Sequence, residues 1–498
     1  MNGSENCVVH VESHRGFRPY SRLILGQFVE HFHRQVYGGI FDPESRLSDE
    51  SGFRADVVRA VRELRVPVVR WPGGCFVSSY HWTDGVGANR RPTFDKAWHV
   101  EDPNTFGTDE FVRWCRKVGA EPYICTNAGT GDPGEMSNWV EYCNGRLGRW
   151  ARMRMESGSA QPHDVRYWSI GNENYGDWEM GAKTAEQWAP FVTESAKMML
   201  YTDPGLKLSA AATADIDWTL PLLRRAGKYL AYASIHKYWD PLWVSNEPSS
   251  YKECMMASTD PELVINLTRS IIHAAGFQGK IAFDEWNLRG WHHPPANGVH
   301  AGDVAARAKN DINSTYTMAD AVFSACFLNA CLRNCDAVEM ACMAPLVNAR
   351  GPLFTYDSGI VRRTTYHVLW MYANLLERNV VSTFTESDSL RYDGVSRMKL
   401  QGEVPTIDAV ATCDDQMQRW RLVLVNRHPT DPLVCRVRLG GTELAGAVDA
   451  TVLSGDDADA YNDIDSPDRV VPTTTRLSFS GGVASLPPHS LSVIEVQR

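Results

Sequence analysis

The chain has 498 residues, with 60 acidic against 50 basic side chains, a formal net charge of −10 and a 43% hydrophobic share. It is too long for one ordinary core and too apolar to be disordered, so two folded domains are expected. The charge forms no long acidic or basic block, which excludes nucleic acid as the natural partner and favours a neutral ligand. No apolar run approaches the ~20 residues of a bilayer crossing.

The first residues, Met1 to His10, show no basic region followed by an apolar stretch, so no signal peptide is read and a cytoplasmic protein is expected. The 12 cysteines are scattered, as reduced, buried thiols would be. Cys331 and Cys335 fall one helical turn apart, but no second Cys/His pair at zinc spacing accompanies them, so no structural metal is expected.

In chain order, residues 1–19 read as a segment that joins a distant β-sheet, with a strand near 7–12. From residue 20 to 378, strand-like runs alternate with amphipathic helices. Strands are expected at 22–28, 66–71, 121–126, 165–170, 206–211, 232–236, 280–284 and 337–343. Helices are expected at 54–64, 109–118, 185–200, 261–275, 317–333 and 364–378. Eight strands mostly followed by helices predict a (β/α)8 TIM barrel of the α/β class. A doubly wound sheet is the rival, but its Gly-rich phosphate turn is missing after the first strand. From 379 to 498 helical periodicity gives way to short strands between Gly, Asp and Pro, at 406–412, 419–425, 434–439, 448–453, 476–480 and 491–496. A C-terminal, jelly-roll-like β-sandwich is expected there.

Two strand-like runs stop at an acid. Residues 165–173 end in Gly171-Asn172-Glu173, and residues 280–286 in Asp284-Glu285-Trp286. Burying a carboxylate at a strand end is costly unless it has a task. In a barrel, catalytic groups gather at the C-terminal strand ends, and strands four and seven lie on opposite sides of the ring. Glu173 and Glu285 are therefore expected to face each other across the mouth, as glycoside hydrolysis requires. The neighbours divide the roles. Asn172, Asn174, Tyr175 and Trp178 suit a neutral, proton-donating Glu173. Tyr238 and Arg70 suit an ionised, attacking Glu285. Asn172 is placed to bond a sugar 2-OH. The other strand ends offer Glu30 with His31, Gly73-Gly74-Cys75, Asn127, and His236 with Tyr238. Trp98, Trp286 and Trp291 are candidate walls of a sugar site. His31 with His33, and His292 with His293, read as structural rather than metal-ligating pairs, and Gly73-Gly74 as a tight turn that brings backbone close to the ligand.

The same segments resemble glycoside hydrolase family 51, best known for α-L-arabinofuranosidases. The likeness runs through Gly26-Gln27-Phe28-Val29-Glu30-His31, Arg70-Trp71-Pro72-Gly73-Gly74-Cys75-Phe76, Tyr80-His81-Trp82-Thr83-Asp84-Gly85, Phe106-Gly107-Thr108-Asp109 and Glu121-Pro122-Tyr123-Ile124. It continues through Trp139-Val140-Glu141-Tyr142, Gly171-Asn172-Glu173-Asn174-Tyr175-Gly176, Asp284-Glu285-Trp286-Asn287 and Thr365-Tyr366-His367-Val368.

The resemblance implies a barrel with a C-terminal sandwich and retaining, exo-acting hydrolysis of arabinofuranose-containing oligosaccharides, with Glu173 as acid/base and Glu285 as nucleophile. It also implies that Glu30, Asn172 and Tyr238 grip the terminal furanose; from their own positions, Arg70, Cys75, Trp98, His236 and Trp286 are further substrate-binding candidates. No cofactor or metal is implied, and the assembly is a homo-oligomer, a hexamer or smaller. Within the same chemistry, a β-xylosidase or endoglucanase-like activity is the alternative. Two departures bear on the sugar. Ala344-Pro345-Leu346-Val347-Asn348 has Pro where the family commonly has a sugar-touching Gln, and Cys75 stands where some relatives have Asn. The loop from Asn287 to His293 is also distinctive, and such loops set which sugar fits.

Overall fold

Eight parallel strands close on themselves in chain order: β1 (Gly26–Phe28), β2 (Val68–Trp71), β3 (Glu121–Thr126), β4 (Tyr167–Ile170), β5 (Lys207–Ala211), β6 (Tyr232–Asp240), β7 (Lys280–Arg289) and β8 (Val338–Met343). The structure is a computed structural model and describes residues 7–292, 306–394, 397–398 and 402–497. Closure leaves no sheet edge, and the doubly wound alternative is thereby ruled out. His293 and the residues up to 305 lie outside the described residues, so the expectations for that histidine and for the end of its loop cannot be placed.

The helices fall near their expected positions, and their ends have identifiable causes. Ala185–Thr202 opens on a reciprocal pair in which Thr184 caps the Gln187 N–H and Gln187 reaches back. Thr108–Val118 stops at Gly119, whose φ of +86° is open to glycine at no steric cost. Two helices between β3 and β4, Pro133–Asn144 and Arg149–Glu156, escape the periodicity reading. The last expected helix is shorter than its pattern: Thr364–Leu375 gives way to a strand at Asn379–Val381.

The first strand is a correction. Residues 22–25 form a 3-10 turn, because the Ser21 hydroxyl accepts from the Leu23 N–H and holds the chain in a turn; only Gly26–Phe28 pairs. Gly26 passes so close to β8 that a Cβ there would meet the Ala341 carbonyl at 2.7 Å. The seventh strand is a second correction, since it runs on through Glu285 to Arg289 instead of stopping at the acid. Between Phe283 and Glu285 it holds one more residue than either neighbour: Ser234 pairs with Ala282 and His236 with Glu285, while Phe283 pairs with Ala341 and Trp286 with Met343. This bulge breaks the period-two alternation, so Asp284 and Glu285 both face the barrel interior.

Beyond the barrel, a larger antiparallel sheet and a smaller mixed one face each other over a core that includes Trp420, Leu422, Cys435, Val437 and Ile494. Both include residues from the start of the chain. Cys7–Val11 lies between Thr383–Ser387 and Leu433–Leu439, and Phe17–Pro19 pairs with Asn379–Val381. The helix Met318–Arg333 is buried on every side except its last residue, because it packs between β7 and the larger sheet. At its end Arg333 bridges Glu262 and Asp408, each at 2.7 Å.

Arg289 fixes the extended ends of β6 and β7. Its guanidinium reaches Asp240 at 2.6 Å and Asp320, on the buried helix, at 3.2 Å, all three groups being buried. Arg289→Leu would strand two carboxylates in the interior. The expected cost is about 3–5 kcal/mol, read as a lowered denaturation midpoint. An unchanged midpoint would show that the ends of β6 and β7 are held by packing alone.

Candidate active site

The barrel interior is filled in layers. Phe28, Val68, Tyr123, Tyr232, Ala282 and Met340 form an apolar plug. Above it lies a polar layer. Asp284 accepts from the Tyr123 hydroxyl at 2.5 Å and from Ser234 Oγ at 2.7 Å, and the Arg70 Nε lies 3.6 Å away. The acids Glu173 and Glu285 stand on this layer, at the C-terminal mouth.

Glu285 is held from two sides. Its Oε1 accepts from the Tyr238 hydroxyl at 2.6 Å and its Oε2 from Arg70 Nη1 at 2.9 Å. Arg70 Nη2 also donates to Asn172 Oδ1 at 2.8 Å, so one guanidinium ties β2 to β4 and β7. Arg350 Nη2 donates to the Tyr238 hydroxyl at 3.0 Å. Glu173 follows Gly171 and Asn172 at the end of β4 with a φ of +45°, a left-handed conformation that costs a non-glycine residue about 1–3 kcal/mol. That turn aims its carboxylate inward, where Oε1 meets His236 Nδ1 at 3.0 Å and Oε2 accepts from Trp178 Nε1 at 2.9 Å. Glu173 and Glu285 present oxygens within 4.8 Å of each other, with His236 between them.

The electrostatics follow from burial. Burial works against charge on His236, but Glu285, Asp284 and Glu173 outweigh it and push the imidazole up to about 10. Burial alone would raise the Glu173 carboxyl; the hydrogen bond and charge of His236 outweigh it and hold the group below its ordinary value. This differs from the neutral Glu173 expected from its amide and aromatic neighbours. The proton of the pair rests on His236, which the sequence spacing did not place beside Glu173. Glu30 has no such cation in contact. Burial, aided by Glu285, pushes it up to about 8 although Trp98 Nε1 and the Phe76 N–H donate to it. Burial likewise pushes Glu179 up to about 7.

The structure brings Arg70, Asn172, Glu173, His236, Tyr238 and Glu285 into one hydrogen-bonded group. Cys75 and Trp98 line the adjoining cavity of about 350 Å³, whose outer walls are Tyr175, Trp178, Trp243 and Trp291. The Gly73-Gly74 turn approaches so closely that a Cβ on Gly74 would fall 2.2 Å from the Glu30 carboxyl. Trp286 is a correction. Glu285 faces in, so the next residue faces out, and the Trp286 ring stacks on Phe327 at 3.6 Å, away from the cavity. His31 pairs with Asp102 and stacks on Phe76, His33 pairs with Asp311, and Asn127 caps its own loop. The sequence reading missed Glu179, Arg350 and Trp243, since the first two come from loops and the third from a four-residue helix, Leu242–Ser245, too short to carry a periodic signal.

A cation at Glu173, His236 and Glu285 would have to displace the bonds from Arg70, Tyr238 and Trp178 and deprotonate His236, so that trio does not fit a metal.

Comparison with known proteins agrees with this geometry. The α-L-arabinofuranosidase 1 domain matches residues 60–255 and the α-L-arabinofuranosidase C-terminal domain matches residues 284–490. An intracellular exo-α-(1→5)-L-arabinofuranosidase of Halalkalibacterium halodurans is 34% identical over 461 residues, covering 89% of each chain. The α-L-arabinofuranosidase of Thermotoga maritima, solved as an arabinose complex, superposes with a TM-score of 0.86 at 34% identity, covering 99% of this chain and all of that one. A family 51 α-L-arabinofuranosidase from Bifidobacterium longum superposes with a TM-score of 0.89 at 29% identity over the full length of both. With relatives this similar over nearly its whole length, and with paired carboxylates at the barrel mouth, the chain belongs to the α-L-arabinofuranosidases of glycoside hydrolase family 51.

Proposed function

We propose that the chain is an exo-acting, retaining α-L-arabinofuranosidase in which Glu285 is the nucleophile and Glu173 the acid/base. The observation that carries this reading is the closeness of the two carboxylates, within 4.8 Å. Retaining glycosidases hold the pair about 5–5.5 Å apart, whereas inverting ones need about 6.5–9.5 Å to admit a water. The sugar is proposed from the relatives: the Halalkalibacterium enzyme is named for exo-cleavage of α-(1→5)-arabinofuranosides, and the Thermotoga one was solved with arabinose.

In the first step a Glu285 oxygen attacks the anomeric carbon while Arg70 and Tyr238 hold and orient the carboxylate. His236 passes its proton to Glu173 across their 3.0 Å contact and Glu173 delivers it to the departing glycosidic oxygen, which leaves His236 neutral and Glu173 ionised, ready to act as base. As the ester forms, the negative charge facing His236 falls, so the imidazole releases its proton more readily at the moment the leaving group requires it. In the second step Glu173 takes a proton from water, which opens the ester. Glu30, Cys75, Trp98 and Asn172 close the inner end around a terminal furanose, and Trp178, Trp243 and Trp291 receive the leaving group. No helix of the described residues is long and apolar enough to cross a membrane. The name of the Halalkalibacterium relative supports action inside the cell.

On a substrate panel, an aryl α-L-arabinofuranoside is expected to exceed an aryl β-D-xyloside and a soluble glucan by more than tenfold in kcat/KM, a gap of about 1.4 kcal/mol. A preference for xyloside or glucan would reassign the sugar. Glu285→Ala is expected to lose about 10⁴-fold or more in kcat on every substrate. Glu173→Ala is expected to lose about 10²–10⁴-fold on an alkyl leaving group and far less, in the first step, on an activated aryl one. Equal losses on both would remove Glu173 from the acid role.

The His236–Glu173 pair titrates as a unit. With His236 pushed up to about 10, the wild-type pair keeps its proton well above neutrality, and activity falls only as the pH approaches that value. In His236→Asn the proton must sit on Glu173 itself, a carboxyl that releases it at lower pH. The alkaline limb of kcat/KM is therefore expected to move to lower pH in the variant. A limb that stays in place would separate His236 from the proton supply.

A further inference from the structure

Glu173 also belongs to a second group of donors, in which it and the cavity-lining Cys75 are joined by Glu179, a carboxyl that the hydrolytic steps do not use. The Cys75 Sγ and one oxygen each of Glu173 and Glu179 lie within 4.8 Å of one another. Glu179 is 4% exposed. Its Oε2 accepts only a long bond, 3.3 Å, from Asn172. Its Oε1 is buried and accepts no hydrogen bond of good geometry, the groups within reach being the Cys75 thiol and the Ser78 hydroxyl. Ser78 Oγ is itself buried without a partner. Buried polar groups left this poorly satisfied are uncommon and point to a ligand.

We propose that Cys75, Glu173 and Glu179 form a binding site for a divalent cation of the zinc and cadmium class, whose occupancy withdraws Glu173 from proton transfer. The donor set suits that class: one thiolate sulfur and two carboxylate oxygens leave a fourth tetrahedral position for water. Zinc bonds of about 2.3 Å to sulfur and 2.0–2.2 Å to oxygen hold ligand atoms roughly 3.3–3.8 Å apart, so each donor moves by about 1 Å or less. Coordination forms one metal–sulfur and two metal–oxygen bonds, and it releases the thiol proton and the Glu179 proton to the buffer without any change of oxidation state. Cys75 lines the cavity, so a hydrated ion has a path in. The inhibitory consequence rests on the proposed acid role of Glu173; the site itself rests on geometry alone.

The test is a titration of the full-length, chelator-stripped protein with Cd²⁺, followed by the ultraviolet thiolate-to-cadmium charge-transfer band and, in parallel, by hydrolysis of an alkyl arabinofuranoside, whose leaving group needs the acid. One equivalent is expected to build the band and stop turnover together, EDTA to reverse both, and Zn²⁺ to displace Cd²⁺. Cys75→Ser is expected to abolish the band, and Glu179→Gln to weaken binding by tenfold or more, with melting curves confirming that both variants fold. A band of equal strength in Cys75→Ser, equal affinity in Glu179→Gln, or no band in the wild type would overturn the site and leave a hydrogen-bonded thiol–carboxyl pair. Cadmium binding with the expected variant pattern but no loss of turnover would keep the site and remove Glu173 from the acid role, so the two readings fail separately.

Discussion

Five carboxyl groups crowd the mouth of one barrel: Glu30, Glu173, Glu179, Asp284 and Glu285 are all buried there, and the cations in direct contact with them are Arg70 and His236. So many buried anions cannot coexist ionised against so few positive partners. The structure resolves this by location. Asp284 and Glu285 take the guanidinium and Glu173 takes the imidazole, while Glu30 and Glu179 have no cation in contact and hold on to their protons toward neutral pH. The ionised and neutral acids are thus sorted by which side chain reaches a cation, and Arg70, fixed in the wall of β2, does most of the sorting.

The backbone supplies the rest through two local irregularities. A regular seventh strand would point Asp284 and Glu285 to opposite faces; the extra residue in β7 lets one serve as a fixed partner for Ser234 and Tyr123 while the other reaches the cavity. A regular exit from β4 would carry Glu173 past the mouth; the left-handed turn at that residue brings it back over His236. Both irregularities sit where the chemistry is, consistent with strain being retained where the surroundings over-determine it.

The sequence shows the barrel because its signal is periodic and repeated eight times, and the acids are legible because carboxylates are otherwise rare at buried strand ends. What escapes reading has no period. The 3-10 turn at 22–25 is set by one hydroxyl, that of Ser21, which competes with strand pairing. Glu179 and Arg350 reach the site from irregular segments. Trp286 lies outside the cavity because its neighbour Glu285 faces in, and alternation sends the next ring to the other side. The ionisation of Glu173 is similarly opaque, since it depends on a histidine 63 positions further along the chain.

The helix Met318–Arg333 bears on how separable the parts of this molecule are. It is buried between β7 and the larger antiparallel sheet, and on it Phe327 backs Trp286, the residue next to Glu285. The opening strands of the chain, Cys7–Val11 and Phe17–Pro19, are also woven into the two sheets beside strands that come hundreds of residues later. No single scission divides the barrel from those sheets without exposing a helix that is buried almost throughout, so the appended region belongs to the enzyme's foundations and is not a detachable module. Grafting it onto another scaffold, or trimming it for economy, would loosen the floor beneath the reacting acid.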